Sequence, residues 1–102
     1  MYRIYYTNNF KKQLEKVLLS GRYTEFEINY VINILTSGKV LAPRFKNHKL
    51  NGEYSGFYEC HIRPDLLLIY ERDNNSMILT VISIGSHSEL FGQFNFGARE
   101  RT

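Results

Sequence analysis

The chain has 102 residues, 43% hydrophobic and 23% charged, with 13 Lys and Arg against 10 Asp and Glu and a net charge of +3. That length accommodates one domain with one core, and the single cysteine, Cys60, excludes an internal disulfide and fits a reducing compartment. With no run of about eighteen apolar residues and no signal-peptide apolar region behind Met1-Tyr2-Arg3, the expectation is a soluble, cytoplasmic protein with no membrane partner.

Tyr2 to Tyr6, aromatic and β-branched, reads as a short strand. Phe10, Leu14, Val17 and Leu18 then follow helical spacing until Ser20-Gly21 stops the pattern. A second helix starts at Thr24, with Glu27 three residues on to complete a capping box. Its expected apolar set is Phe26, Tyr30, Val31, Ile34 and Leu35, and Gly38 ends it. Two antiparallel helices joined by a short loop result.

Between Lys39 and Lys49 the chain carries Lys39, Arg44, Lys46 and Lys49 around His48, with no Asp or Glu. Such a segment is either a solvated basic loop or a seat for phosphate. From Phe57 to Arg63 the pattern alternates, placing Tyr58, Cys60 and Ile62 on one face and Phe57, Glu59, His61 and Arg63 on the other. Pro64 marks the strand end. Leu66 to Tyr70 is apolar on both faces and predicts a buried central strand. The turn formers Asp73-Asn74-Asn75-Ser76 join it to a last strand, Met77 to Ile84. The predicted order is βααβββ: an α+β domain, mainly antiparallel, with two N-terminal helices packed on one side of the sheet. Residues 1–92 form this single domain, and residues 93–102 read as a polar tail.

All three histidines, His48, His61 and His87, stand at the ends of the most apolar segments, with Asp65, Arg63 and Lys46 nearby. Internal transesterification of RNA needs a base for the 2′-hydroxyl, an acid for the leaving 5′-oxygen and cations for the phosphorane-like transition state. Histidine serves either proton-transfer role, so these residues supply every part if the fold converges them, without a metal or other cofactor. Zinc is the competing chemistry. It is disfavoured because Cys60 and His61 point to opposite faces of a strand, and because neither Cys-x-x-Cys nor His-Glu-x-x-His occurs.

The stretches His48-Lys49-Leu50-Asn51-Gly52, Cys60-His61-Ile62-Arg63-Pro64-Asp65-Leu66-Leu67-Leu68-Ile69-Tyr70 and Gly85-Ser86-His87-Ser88-Glu89-Leu90-Phe91-Gly92 together resemble the YafQ branch of the RelE/ParE superfamily of type II toxins. The resemblance runs through the chain up to Gly92. It implies a toxin that enters the A site of the 30S ribosomal subunit, cuts the mRNA there and is neutralised by a RelB/DinJ-like cognate antitoxin. It also implies the catalytic set His48, His61, Asp65 and His87, with Phe91 stacking a base. Within that set, His87 is expected as general acid and His48 as general base, with Asp65 as the alternative base. Arg44, Lys46, Lys49 and Arg63 are the expected RNA contacts.

Two positions depart from the family pattern. Ser83 stands where relatives often carry an arginine, and Leu66 where they carry a tryptophan. Alternation makes Arg63 the expected substitute cation on the His61 face. The reading from a different class is a ParE-like member of the same fold that binds a protein and cuts nothing, and a third is a non-catalytic RNA-binding or corepressor module.

Overall fold

The computed structural model describes residues 1–91, so the tail expected over 93–102 lies outside the described residues. Strand β1 (Arg3–Tyr6) leads into helices α1 (Asn8–Leu19) and α2 (Glu25–Thr36). A short 3-10 turn at Pro43–Phe45 precedes β2 (His48–Lys49), and a second at Gly52–Tyr54 precedes β3 (Tyr58–Arg63). The chain continues through β4 (Leu66–Asp73) and β5 (Ile78–Gly85) to helix α3 (His87–Phe91). The five strands form one sheet in the order β1-β5-β4-β3-β2, with β1 parallel to β5 and every other pair antiparallel. The predicted order holds, with two additions: the two-residue β2 and the five-residue α3, both too short to show a period.

Caps set the helix starts. The Thr7 hydroxyl accepts from the Phe10 amide at 2.9 Å and donates to the Ile82 carbonyl at 2.7 Å, so one side chain both starts α1 and ties it to β5. In α2 the predicted capping box is present, with Thr24 and Glu27 satisfying each other's backbone amides. Both helices pack on one face of the sheet. Phe10, Val17, Ile28, Val31, Ile32 and Leu35 meet Cys60, Leu66, Leu68, Tyr70, Leu79 and Val81 there.

The buried stripe of α2 is therefore Ile28, Val31, Ile32 and Leu35, an i, i+3, i+4, i+7 set. Val31 and Leu35 match the expectation. Phe26 and Tyr30 do not: Phe26 is 79% exposed and Tyr30 46%. Two overlapping apolar stripes exist on this helix, and the more aliphatic, β-branched one won the core.

The opposite face is covered more thinly. Leu67, Ile69 and Leu90 form its small cluster, with Leu50, Phe57, Ile82 and Phe91 packed around them. Cross-strand partners share a face, so the registers His48 to Glu59, Glu59 to Ile69 and Ile69 to Ser83 lay these four residues in one row across the sheet. His61, Leu67 and Gly85 form the next row.

Candidate active site

The thinly covered face owes its site first to a turn. Lys46 adopts the left-handed conformation, φ 48°, at the end of the Pro43–Phe45 turn, and this redirects the chain into β2. Asn47, the next residue, accepts a hydrogen bond from the Tyr70 hydroxyl, which pins the start of β2 to the central strand. Burial raises the Tyr70 phenol above its ordinary range, so it stays a donor.

His48 is thereby fixed at both ring nitrogens. Nδ1 lies 2.9 Å from the Lys46 carbonyl, which can only accept, and Nε2 lies 3.1 Å from Oε1 of Glu59. His61 approaches the same oxygen from the next row, with Nε2 at 3.8 Å. Glu59 itself is only 6% exposed. A carboxylate so buried is costly to hold without charged or hydrogen-bonding neighbours, and here two imidazoles supply them. Sequence reasoning put Glu59 on the His61 face but did not single it out. Period-two spacing with His61 was the available signal; the pairing with His48 came from the added strand β2.

His87 begins α3, two residues after Gly85. Its ring lies 5.2 Å from that of Phe91, and among the described residues it makes no hydrogen bond or ion pair. Tyr54 meets the Phe91 ring edge-on at 5.8 Å. The helix is held by a reciprocal cap: the Ser86 amide donates to Glu89 Oε1 at 2.8 Å, and the Glu89 amide donates to the Ser86 hydroxyl at 3.1 Å. The Ser86 amide, first, and the nearby Lys16 hold the Glu89 carboxyl below its ordinary range. A Cβ at Gly85 would meet Glu89 Oε1 at 2.9 Å and Leu90 Cδ2 at 3.4 Å, so glycine is what lets α3 close down on the strand end.

Two expected members face elsewhere. A register shift between His61 and Arg63 breaks the alternation assumed for β3. Arg63 consequently turns towards the helices, with Nε 2.6 Å from Glu27 Oε1 and its guanidinium over the Tyr23 ring. It does not share the His61 face, and its charge is matched by Glu27, whose carboxyl the Arg63 hydrogen bond holds below its usual range. Asp65, in the turn after β3, pairs with Arg22 at 2.7 Å. His48, Glu59 and His61 are thus brought together, while Asp65 lies in a separate ion pair with the α1–α2 connection. Ser83 is buried beside Ile69 and 3.4 Å from the Asn9 amide. Among the described residues, Arg44 and Lys46 carry no ion pair, and Lys49 is exposed beside His48 on β2.

Cys60 is inert by placement. It is fully buried on the helix-covered face, and burial, reinforced by the neighbouring Glu59 charge, pushes its thiol up to about 12. No group of three or more His, Cys, Asp or Glu side chains arranged to hold a metal ion occurs among the described residues.

A helix-backed sheet whose open face holds a buried carboxylate between two imidazoles, beside an exposed histidine and an aromatic ring, defines a small α+β domain equipped for acid–base chemistry. The chain belongs to the YafQ family of bacterial toxins of type II toxin–antitoxin systems, whose family model matches residues 2–92. It is 28% identical over 91 residues to the mRNA interferase toxin YafQ of Escherichia coli K12, covering 87% of this chain and 95% of that protein. Its fold superposes on a copper-bound mutant toxin from Helicobacter pylori with a TM-score of 0.83 at 37% identity, over 89% of this chain and 100% of that one. The toxin fold in the crystal structure of the E. coli DinJ-YafQ complex matches with a TM-score of 0.79 at 26% identity, over 90% and 100% of the respective chains.

Proposed function

We propose that this chain is an endoribonuclease toxin that cleaves mRNA on the ribosome by acid–base transesterification without a resident metal, and that a cognate antitoxin neutralises it. The observation that carries the reading is the buried Glu59 carboxylate with His48 Nε2 at 3.1 Å and His61 Nε2 at 3.8 Å. A member of the fold that only bound a protein would bear the desolvation cost of that carboxylate with no return. The names of the relatives point the same way.

The geometry reassigns the base. His48, occupied at both nitrogens, acts as a fixed positive group rather than a proton acceptor. His61 has Nδ1 available: it takes the 2′-hydroxyl proton there as Nε2 passes its own proton to Glu59. The 2′-oxygen attacks phosphorus, the bond from phosphorus to the 5′-oxygen breaks, and His87 protonates the departing oxygen. The products are a 2′,3′-cyclic phosphate and a 5′-hydroxyl. Phe91, beside His87, offers a face for an unpaired base. Lys46 and Lys49 flank His48 and supply positive charge near the phosphate, a role Ser83 cannot fill. Asp65 keeps the β3–β4 turn against Arg22 and acts on positioning.

This site holds substrate with modest charge, so pre-positioning of the scissile nucleotide by the ribosome contributes much of the rate. Purified protein incubated with programmed ribosomes, followed by primer extension of the mRNA, tests the proposal. Cleavage in the presence of a magnesium-sparing zinc and copper chelator is expected, with little cutting of naked RNA. No cleavage on ribosomes, or activity restored only by an added transition metal, overturns it.

A further inference from the structure

The apolar stripe that α2 leaves outside the core faces a groove of about 620 Å³. Phe26 and Tyr30 form one wall, Ile62 and the outer edge of β3 the floor, and Arg44, Phe45 and Lys46 the other wall. The Tyr30 and Phe45 rings lie 6.3 Å apart, and the Arg44 guanidinium stacks over Phe45 at 4.1 Å. Arg63 at the end of the groove is neutralised by Glu27, whereas Arg44 and Lys46 have no ion-pair partner among the described residues.

The groove also borders an unfinished sheet edge. Strand β2 pairs only with Tyr58 and Glu59, so from Cys60 to Arg63 no strand lies outside β3 among the described residues. The Leu50 amide donates to the Phe57 carbonyl at 2.9 Å, so the Phe57 backbone faces that outer side. Alternation carries the same orientation to Glu59 and then to His61. The His61 amide and carbonyl therefore point outward beside the groove.

We infer that this groove receives an extended segment of the cognate antitoxin, which adds a strand to the outer edge of β3. The inference rests on the toxin reading above. Strand addition satisfies the backbone of His61, alternate apolar side chains of the segment fill the space between Phe26, Tyr30 and Phe45, and acidic side chains meet Arg44 and Lys46. An RNA strand also suits rings and cations, but it leaves the sheet edge unpaired; the peptide uses all three features. A strand seated here lies against His61, so neutralisation acts at the site itself.

The experiment titrates the purified toxin with purified cognate antitoxin and follows amide hydrogen exchange in β3. Phe26→Ala with Tyr30→Ala removes two exposed rings, so the variant is expected to fold, checked by thermal melting, and to retain ribosome-dependent cleavage. Its affinity for the antitoxin is expected to fall about tenfold or more. Arg44→Glu with Lys46→Glu is expected to weaken capture and flatten its salt dependence, and the His61 amide is expected to gain protection in the wild-type complex. Full affinity in the ring variant with an unprotected His61 amide overturns the inference, as does an absence of any binding by the wild type. Unchanged antitoxin affinity with lost cleavage overturns it in favour of RNA in the groove. Antitoxin capture with these signatures from a protein that cleaves nothing supports the docking site and removes only the nuclease reading.

Discussion

The two faces of the sheet are made from the same strands and do opposite things. On the face under α1 and α2, Val31, Cys60, Leu68, Leu79 and Val81 are fully buried, and no side chain there is available for chemistry. On the other face a five-residue helix and two short loops cover only a small apolar cluster, and Glu59, His48, His61 and His87 lie around its rim. The difference teaches where a 102-residue chain places catalysis: stability is concentrated on one side, and the thin cover on the other leaves imidazoles reachable by a polymer substrate.

The largest effect that divides the faces is catalytic. His87→Ala is expected to lower single-turnover mRNA cleavage by about 10²–10⁴-fold while leaving the melting temperature unchanged, because the side chain is exposed and makes no hydrogen bond. Comparable rates for variant and wild type on programmed ribosomes would remove His87 from the chemistry.

Next in size is a stability comparison. Leu68→Ala, on the helix-covered face, is expected to cost about 2–5 kcal/mol in denaturant unfolding. Leu90→Ala is expected to cost less, since α3 can detach without opening the main core, yet to reduce cleavage more per molecule still folded. The reverse ordering, in equilibrium unfolding paired with activity at a fixed folded fraction, would mean that the thin face carries the stability.

A smaller contrast uses the same capping device on both sides. Thr24→Ala breaks the cap of twelve-residue α2 and is expected to cost about 0.5–2 kcal/mol of global stability. Ser86→Ala breaks the cap of α3 and is expected to change global stability little while accelerating amide exchange from His87 to Phe91 and slowing cleavage. Equal global losses, measured by chemical denaturation, would show α3 to be part of the cooperative unit.

The smallest expected effect is on acid response. Glu27 and Glu89 both have carboxyl groups held below the model value of 4.5. Stability from a depressed carboxyl is fully present above the unfolded value and is lost as pH falls through the folded one, so both contributions fade below about pH 4.5. Because Glu89 is half exposed, its part is screened and small. NMR titration is expected to show α3 loosening in that range ahead of global unfolding. Simultaneous loss would join the two faces into one acid transition.

Much of this molecule is written locally. Helix periodicity in α1, the Thr24 and Glu27 cap, the doubly apolar run of β4 and the alternation from Phe57 to His61 are all interactions between near neighbours in sequence, so they were legible without a fold. The family resemblance, carried by the histidine stretches, extended that reading to a toxin and to His48, His61 and His87. What the sequence left open depended on contacts between distant segments. The choice between the Phe26 and Ile28 stripes of α2 required the sheet beneath it, and the turn of Arg63 towards Glu27 required a bulge that breaks period-two logic. Glu59 became central only when a two-residue strand, too short to announce itself, was paired beside it and brought His48 to its carboxylate. Faces follow from local spacing; partners across a sheet follow from register, which only the folded chain defines.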